Sequence, residues 1–143
     1  TRLARVGYDH AIGYLNGGFE AWKKSGEEID QITSISASEL ADIKKENENI
    51  NILDVRKTSE FQSEHVLDAE NAPLDYINES MLKIDKDKTY YVHCAGGYRS
   101  MVFNSILRAR GYDNLIDVKG GFKDLKESGE FEISEFVCPT TLL

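Results

Sequence analysis

The chain has 143 residues, 41% hydrophobic and 29% charged, which suits one globular domain with a proper core and leaves room for a short appendage. Its formal net charge of -8 argues against nucleic-acid and anionic-membrane partners, without excluding a small anion held by local donors. No apolar run approaches the roughly 18 residues of a membrane span, no secretory signal is visible, and two dissimilar cysteines suit a reduced, cytoplasmic compartment better than a Cys94–Cys138 disulfide.

An internal echo sets the organisation. Gly7-Tyr8-Asp9, Asn16-Gly17-Gly18-Phe19 and Lys24-Ser25-Gly26-Glu27 return as Gly111-Tyr112-Asp113, Lys119-Gly120-Gly121-Phe122 and Glu127-Ser128-Gly129-Glu130. Two copies of one structural unit explain this, and only the last part of the unit stands at the N-terminus. The chain is therefore expected to divide near Glu27–Ser34, into the tail of a sibling domain (residues 1–30) and one whole domain (31–143). A first residue Thr1 rather than Met fits a piece of something longer. Ile12, Leu15, Phe19 and Trp22, cut off from their own sheet, are expected to pack on the whole domain or a second molecule, or else to stay mobile.

The whole domain reads as strands alternating with helices. Gln31–Ile35 is a strand candidate; Ser36-Ala37-Ser38-Glu39 has capping-box spacing and opens a helix to about Asn47. Ile50–Val55 suits a buried strand. Thr58–His65 reads as a short helix with Phe61 inward, Asn71–Pro73 as a brief strand and Leu74–Leu82 as another short helix. After a polar turn, Ile84–Lys88, comes the central strand Thr89–His93. Arg99–Arg110 follows as a helix with Val102, Ile106 and Ala109 on one face, stopped by Gly111. Leu115–Val118 is the last strand and Phe122–Ser128 the closing helix. Such alternation implies an α/β fold: a mainly parallel sheet with helices on both faces, and ligands at the carboxyl ends of strands.

Cys94 sits at one of those ends. It is followed by Ala95-Gly96-Gly97-Tyr98 and by Arg99 at a helix start. Loop amides and a helix N-terminus gather partial positive charge at one spot, which favours a thiolate, and the thiolate is the nucleophile. The pattern points to cysteine chemistry on an anionic or sulfur-bearing substrate. Cys94 and Arg99 are the catalytic candidates, and Ala95, Gly96, Gly97, Tyr98 and Ser100 the substrate-binding ones. Arg99 would orient an anionic donor and lower the thiol's pKa; Tyr98 either walls the pocket or faces solvent. Asp54, Arg56 and Glu60 are read as structural residues near the site, with an Arg56–Glu60 pair stiffening the following helix. His65 and His93 bring no third ligand of fitting spacing, so no metal is assigned, and strand alternation should send His93 to the face opposite Cys94. Cys138 reads as an ordinary thiol, with a resolving role left open.

Taken together these residues resemble a rhodanese domain, the sulfurtransferase family. The matching pieces arrive in the family's order over about residues 32–132: Leu53-Asp54-Val55-Arg56 with Glu60-Phe61 and His65-Val66, then Asn71-Ala72-Pro73-Leu74, then the loop Cys94 to Arg99, then Val118-Lys119-Gly120-Gly121-Phe122. Two departures stand out. The family's usual Gly-His-Ile-Pro-Gly-Ala is Glu64-His65-Val66-Leu67-Asp68-Ala69, and the aromatic present as Trp22 in the first copy is Leu125 in the second. The first 28 residues resemble the end of another rhodanese domain. The wording His93 to Ser100 after such a tail resembles proteins that fuse a metallo-β-lactamase-like domain to two rhodanese domains.

The resemblance implies a rhodanese-like sheet and a sulfurtransferase that needs no cofactor. A small sulfur-containing anion and a thiol acceptor would be its partners, beside upstream rhodanese and metallo-hydrolase domains. Two other functions compete: a non-catalytic or regulatory module docking to the fused hydrolase, and a cysteine phosphatase. The phosphatase loop has five residues between cysteine and arginine where this chain has four, and no acid for a leaving group stands out.

Overall fold

The structure, a computed structural model, describes residues 31–138 together with Gly18, Glu20, Ala21 and Gly26. The chain separates into two compact units, Thr1–Gln31 and Ile32–Leu143. Apart from Gly18 and Gly26, the first copy of the repeat lies outside the described residues, as do Ile12, Leu15, Phe19 and Trp22.

The second unit runs β1 (Ser34–Ile35), α1 (Ala37–Glu46), β2 (Asn51–Asp54), α2 (Thr58–Ser63), β3 (Ala69–Asn71), a 3-10 turn (Leu74–Tyr76), α3 (Ile77–Met81), β4 (Tyr90–His93), α4 (Tyr98–Ala109), β5 (Leu115–Val118) and α5 (Gly121–Ser128). The strands of the described residues form one sheet, ordered β1-β5-β4-β2-β3, and every pairing is parallel. This is the α/β fold, with a parallel sheet, that the alternation of strands and helices implies. Local chemistry explains the cleanest boundaries. The Ser36 hydroxyl accepts from the Glu39 N–H at 3.2 Å while the Glu39 carboxylate accepts from the Ser36 N–H at 2.7 Å, closing the capping box that starts α1.

The sheet has an apolar layer on each face because its strand residues alternate. Leu53, Val55, Val92 and Cys94 pack with Phe103 and Leu107 of α4; Ile52, Val66 and Val118 pack with Leu40 of α1 and Phe122 and Leu125 of α5. Leu125 is fully buried, so the loss of the family's aromatic is a change of core side chain.

Three expectations need correction. The brief strand is Ala69–Asn71 rather than Asn71–Pro73, because Pro73 lacks an N–H and the chain turns there into the 3-10 turn that splits the expected Leu74–Leu82 helix. The buried stripe of α4 is Ser100, Phe103, Asn104 and Leu107, while Val102 and Ile106 are half-buried and Ala109 is exposed. Phe61 does not enter the core: it is half-buried, stacked on the His65 ring at 3.9 Å, and Ser63 is the residue α2 buries.

Candidate active site

β4 ends on His93 in the middle of the sheet, flanked by β2 and β5, and the chain passes through residues 94–97 before α4 begins. Gly97 is the N-cap of α4 with φ +108°, a conformation that side chains other than glycine's rarely adopt. That turn folds the loop back over Cys94. The Gly97 N–H donates to Cys94 Sγ at 3.0 Å. Cys94 itself is 1% exposed, with the apolar layer beneath α4 on one side and the loop amides on the other. Burial pushes the thiol's pKa up, but the Ser100 N–H, the Gly97 N–H, the Ser100 hydroxyl and the Gly96 N–H together outweigh it, so the net shift is downward. The sulfur is therefore cradled by donors rather than sealed in hydrocarbon.

The loop keeps this shape because α5 takes its carbonyls. Phe122 N–H donates to Cys94 O at 2.6 Å and Lys123 N–H to Ala95 O at 3.3 Å. A peptide's C=O and N–H point in opposite directions, so fixing the Ala95 carbonyl on α5 turns the Gly96 N–H the other way, toward the sulfur. Gly121, φ +63°, makes the approach possible: a Cβ there would lie 2.7 Å from the Ala95 carbonyl carbon and oxygen, and closer still to Cys94 O. The sequence reading missed this buttressing role. Its signal was present in the strand–Gly-Gly–helix run Val118 to Phe122, where paired glycines mark close backbone approach.

Two ion pairs surround the loop, arranged differently from the expected Arg56–Glu60 pair. Arg99 is gripped end-on by Glu60, Nη1 to Oε2 at 2.7 Å and Nη2 to Oε1 at 3.0 Å. Those Arg99 hydrogen bonds, more than any other contact, hold the Glu60 carboxyl below the usual carboxylate range. The same Glu60 accepts from the Lys57 N–H at 3.0 Å, so the first turn of α2 fixes the carboxylate that fixes Arg99. Arg56 instead turns to Asp54, with Nη2 2.6 Å from Oδ2 and Nε 2.9 Å from Oδ1. Asp54 is fully buried and Arg56 nearly so. Proximity in sequence favoured Glu60 for Arg56, but the Asp54 carboxylate at the end of β2 already faces it and takes two parallel bonds.

The remaining candidates are quickly placed. Tyr98 is 82% exposed and stands in solvent. Ala95 and Gly97 are half-buried, Gly96 is exposed and Ser100 is buried, its hydroxyl 3.2 Å from Gly97 O. His65 is tied by Nδ1 to Phe61 O at 2.7 Å, and its N–H donates to the Ser134 hydroxyl at 3.0 Å. His93 is buried on the face opposite Cys94, near the Phe122 ring at 6.4 Å. No disulfide joins buried Cys94 to exposed Cys138. Among the described residues no group of three His, Cys, Asp or Glu could hold a metal, and no helix is long and apolar enough to cross a membrane.

The same arrangement has known relatives. The chain is 36% identical over 75 residues to the thiosulfate sulfurtransferase PspE of Escherichia coli, covering 51% of this chain and 71% of that protein. It is 31% identical over 96 residues to the thiosulfate sulfurtransferase GlpE of Coxiella burnetii, covering 67% and 86%. Three other curated relatives match over only about half of their own length. Among solved structures, a rhodanese-like domain protein from Staphylococcus aureus superposes with TM-score 0.64 at 32% identity, over 73% of this chain and all of the other. The description of the Rhodanese-like domain matches residues 36–128, from the cap of α1 to the last residue of α5. With the Cys94 loop and its α5 support both inside that span, the chain belongs to the rhodanese-like domain family.

Proposed function

We propose that this domain is a sulfurtransferase that moves a sulfane sulfur from a donor such as thiosulfate or a persulfide to a thiol acceptor. The observation that carries the reading is the loop folded over Cys94, whose Gly97 N–H donates to Sγ at 3.0 Å while Ser100 and Gly96 help hold the thiol's pKa down. The Cys94 thiolate attacks the outer sulfur of thiosulfate; the S–S bond of the donor breaks, its electron pair leaves with sulfite, and Cys94 carries a persulfide anion. An acceptor thiolate then attacks the outer sulfur of that persulfide, takes it away and returns the Cys94 thiolate. Both steps leave one negative charge in the cradle, where preorganised amides stabilise it without rearranging. Arg99 orients the anionic end of the donor: Glu60 holds two of its nitrogens and fixes its plane, and a guanidinium has five N–H donors to share.

Two features favour sulfur over phosphate. The loop has four residues between Cys94 and Arg99, a tight cradle. Cys94 is also nearly enclosed, which suits a donor that presents one projecting atom. Residues 1–30 are read, within the same proposal, as the tail of a sibling rhodanese domain, and a metallo-β-lactamase-like domain upstream would exchange sulfur with this one.

Intact mass after brief exposure to thiosulfate tests the reading. The wild type should gain one sulfur atom, lose it to an added thiol, and show negligible turnover of an aryl phosphate; Cys94→Ala should gain nothing. No adduct on folded wild type would leave a docking module, and aryl phosphate hydrolysis faster than sulfur transfer would leave a phosphatase.

The pH dependence follows from the same amides. Because the folded thiol's pKa is lowered, loading should rise with pH and level off at a midpoint below that of an ordinary thiol. The matching contribution to stability is fully present above the unfolded thiol's pKa and is lost as pH falls through the folded one. Ser100→Ala, which removes one donor, should move the loading midpoint upward. A wild-type midpoint at or above that of glutathione, measured alongside, would contradict the cradle.

A further inference from the structure

His93 is not explained by packing alone. It is fully buried, and its Nε2 has no hydrogen-bond partner among the described residues, which an apolar ring of similar volume would avoid. Its other nitrogen gives the reason. Nδ1 lies 3.1 Å from Cys94 O, and a carbonyl oxygen can only accept, so Nδ1 carries the proton and Nε2 is bare. Burial pushes the ring's pKa down, against the pull of Asp54 and the Cys94 carbonyl and with the help of Arg56, in keeping with a neutral ring.

We propose that His93 is a positioning residue for Cys94: its Nδ1–H and the Phe122 N–H clamp the Cys94 carbonyl between them and so fix the direction in which the loop leaves the strand. The Cys94 oxygen has two lone pairs and two donors, at 3.1 and 2.6 Å. Neighbours hold the clamp. The Phe122 ring lies beside the imidazole at 24°, the Arg56 guanidinium stacks 4.2 Å from the Phe122 ring, and Arg56 is bound to Asp54. Asp54, Arg56, Phe122 and His93 thus form a chain of contacts that ends on one peptide group. The Asp54-Val55-Arg56 segment reaches the Gly-Gly-Phe segment, far away in sequence, through the Phe122 ring, and the Phe122 N–H shares that carbonyl with His93.

The inference rests on Cys94 being the nucleophile, and its test separates the two ideas. His93→Asn keeps an N–H donor close to where Nδ1 stands; His93→Phe keeps the aromatic volume beside Phe122 and removes the donor. Two quantities are read: the thiolate absorbance titration of Cys94, as a difference from the same background carrying Cys94→Ala, and the rate of loading by thiosulfate. His93→Phe should load roughly ten-fold more slowly and titrate at higher pH. His93→Asn should stay near wild type in both, even if its melting temperature falls. A folded His93→Phe with unchanged titration and loading, or a His93→Asn as impaired as His93→Phe, overturns the clamp. Should His93→Phe fail to fold, the ring nitrogen shifts of the wild type decide: a proton on Nε2 instead of Nδ1 refutes it. If the wild type takes up no sulfur, the proposed function fails, and the titration alone judges the clamp.

Discussion

Gly121→Ala should cost about 2–5 kcal/mol of stability and remove most sulfur loading, although it adds a single methyl group. Two penalties combine. The left-handed backbone, φ +63°, is unfavourable for alanine, and the new Cβ would run into the carbonyls of Cys94 and Ala95. Those neighbours are backbone, already hydrogen-bonded to α5, so they cannot step aside as a flexible side chain would. Relief requires α5 to lift off the loop, and the amides then lose their aim at the sulfur; misplacement of about 1 Å can cost on the order of 100-fold in rate. Gly129→Ala is the matched control. It has a similar φ of +69° but nothing within 4 Å, so it should show the conformational penalty of about 1 kcal/mol with loading intact. Urea unfolding and the thiosulfate mass assay on both variants check this. Equal losses at the two glycines would mean that the close approach to the Cys94 loop is unimportant.

What could be read from the sequence was set by how local each signal is. The capping box of α1 lies within four residues, and Ser36 and Glu39 form it as expected. The hydrophobic runs of β2, β4 and β5 and the Cys94-to-Arg99 loop are equally local, so the parallel sheet and the site's position could be inferred. The α4 stripe was misread because its buried positions include polar Ser100 and Asn104, which hide the apolar periodicity. Glu60 was assigned to Arg56, four residues before it, yet it binds Arg99, 39 residues away, and no short-range pattern announces such a pairing. The strap formed by the C-terminal segment was not legible either. Ile133 bridges Val66, and Val137 exchanges hydrogen bonds with Ser63, steadying the helix that carries Glu60 through contacts made only in the folded chain.

Arg56→Met should destabilise the domain by about 3–5 kcal/mol, because it leaves the Asp54 carboxylate buried without its counter-charge. Asp54 is 0% exposed, and Arg56 supplies three of its side-chain hydrogen bonds and a fourth through its own backbone N–H. Arg56→Lys should recover little. An ammonium cannot offer the parallel bonds, reach Glu64 O as Nη2 does at 2.8 Å, and stack flat on the Phe122 ring all at once. The double replacement Asp54→Asn with Arg56→Met removes both charges and should regain much of the lost stability, since a buried pair contributes little beyond what an apolar substitute of similar size would. Loading should not recover in parallel, because Arg56 also braces Phe122, whose N–H holds the Cys94 carbonyl. Urea unfolding combined with the mass assay separates the two effects. If Arg56→Met unfolds as the wild type does, the buried pair is not what fixes the end of β2; if the double variant regains stability and full loading together, the pair serves the fold alone.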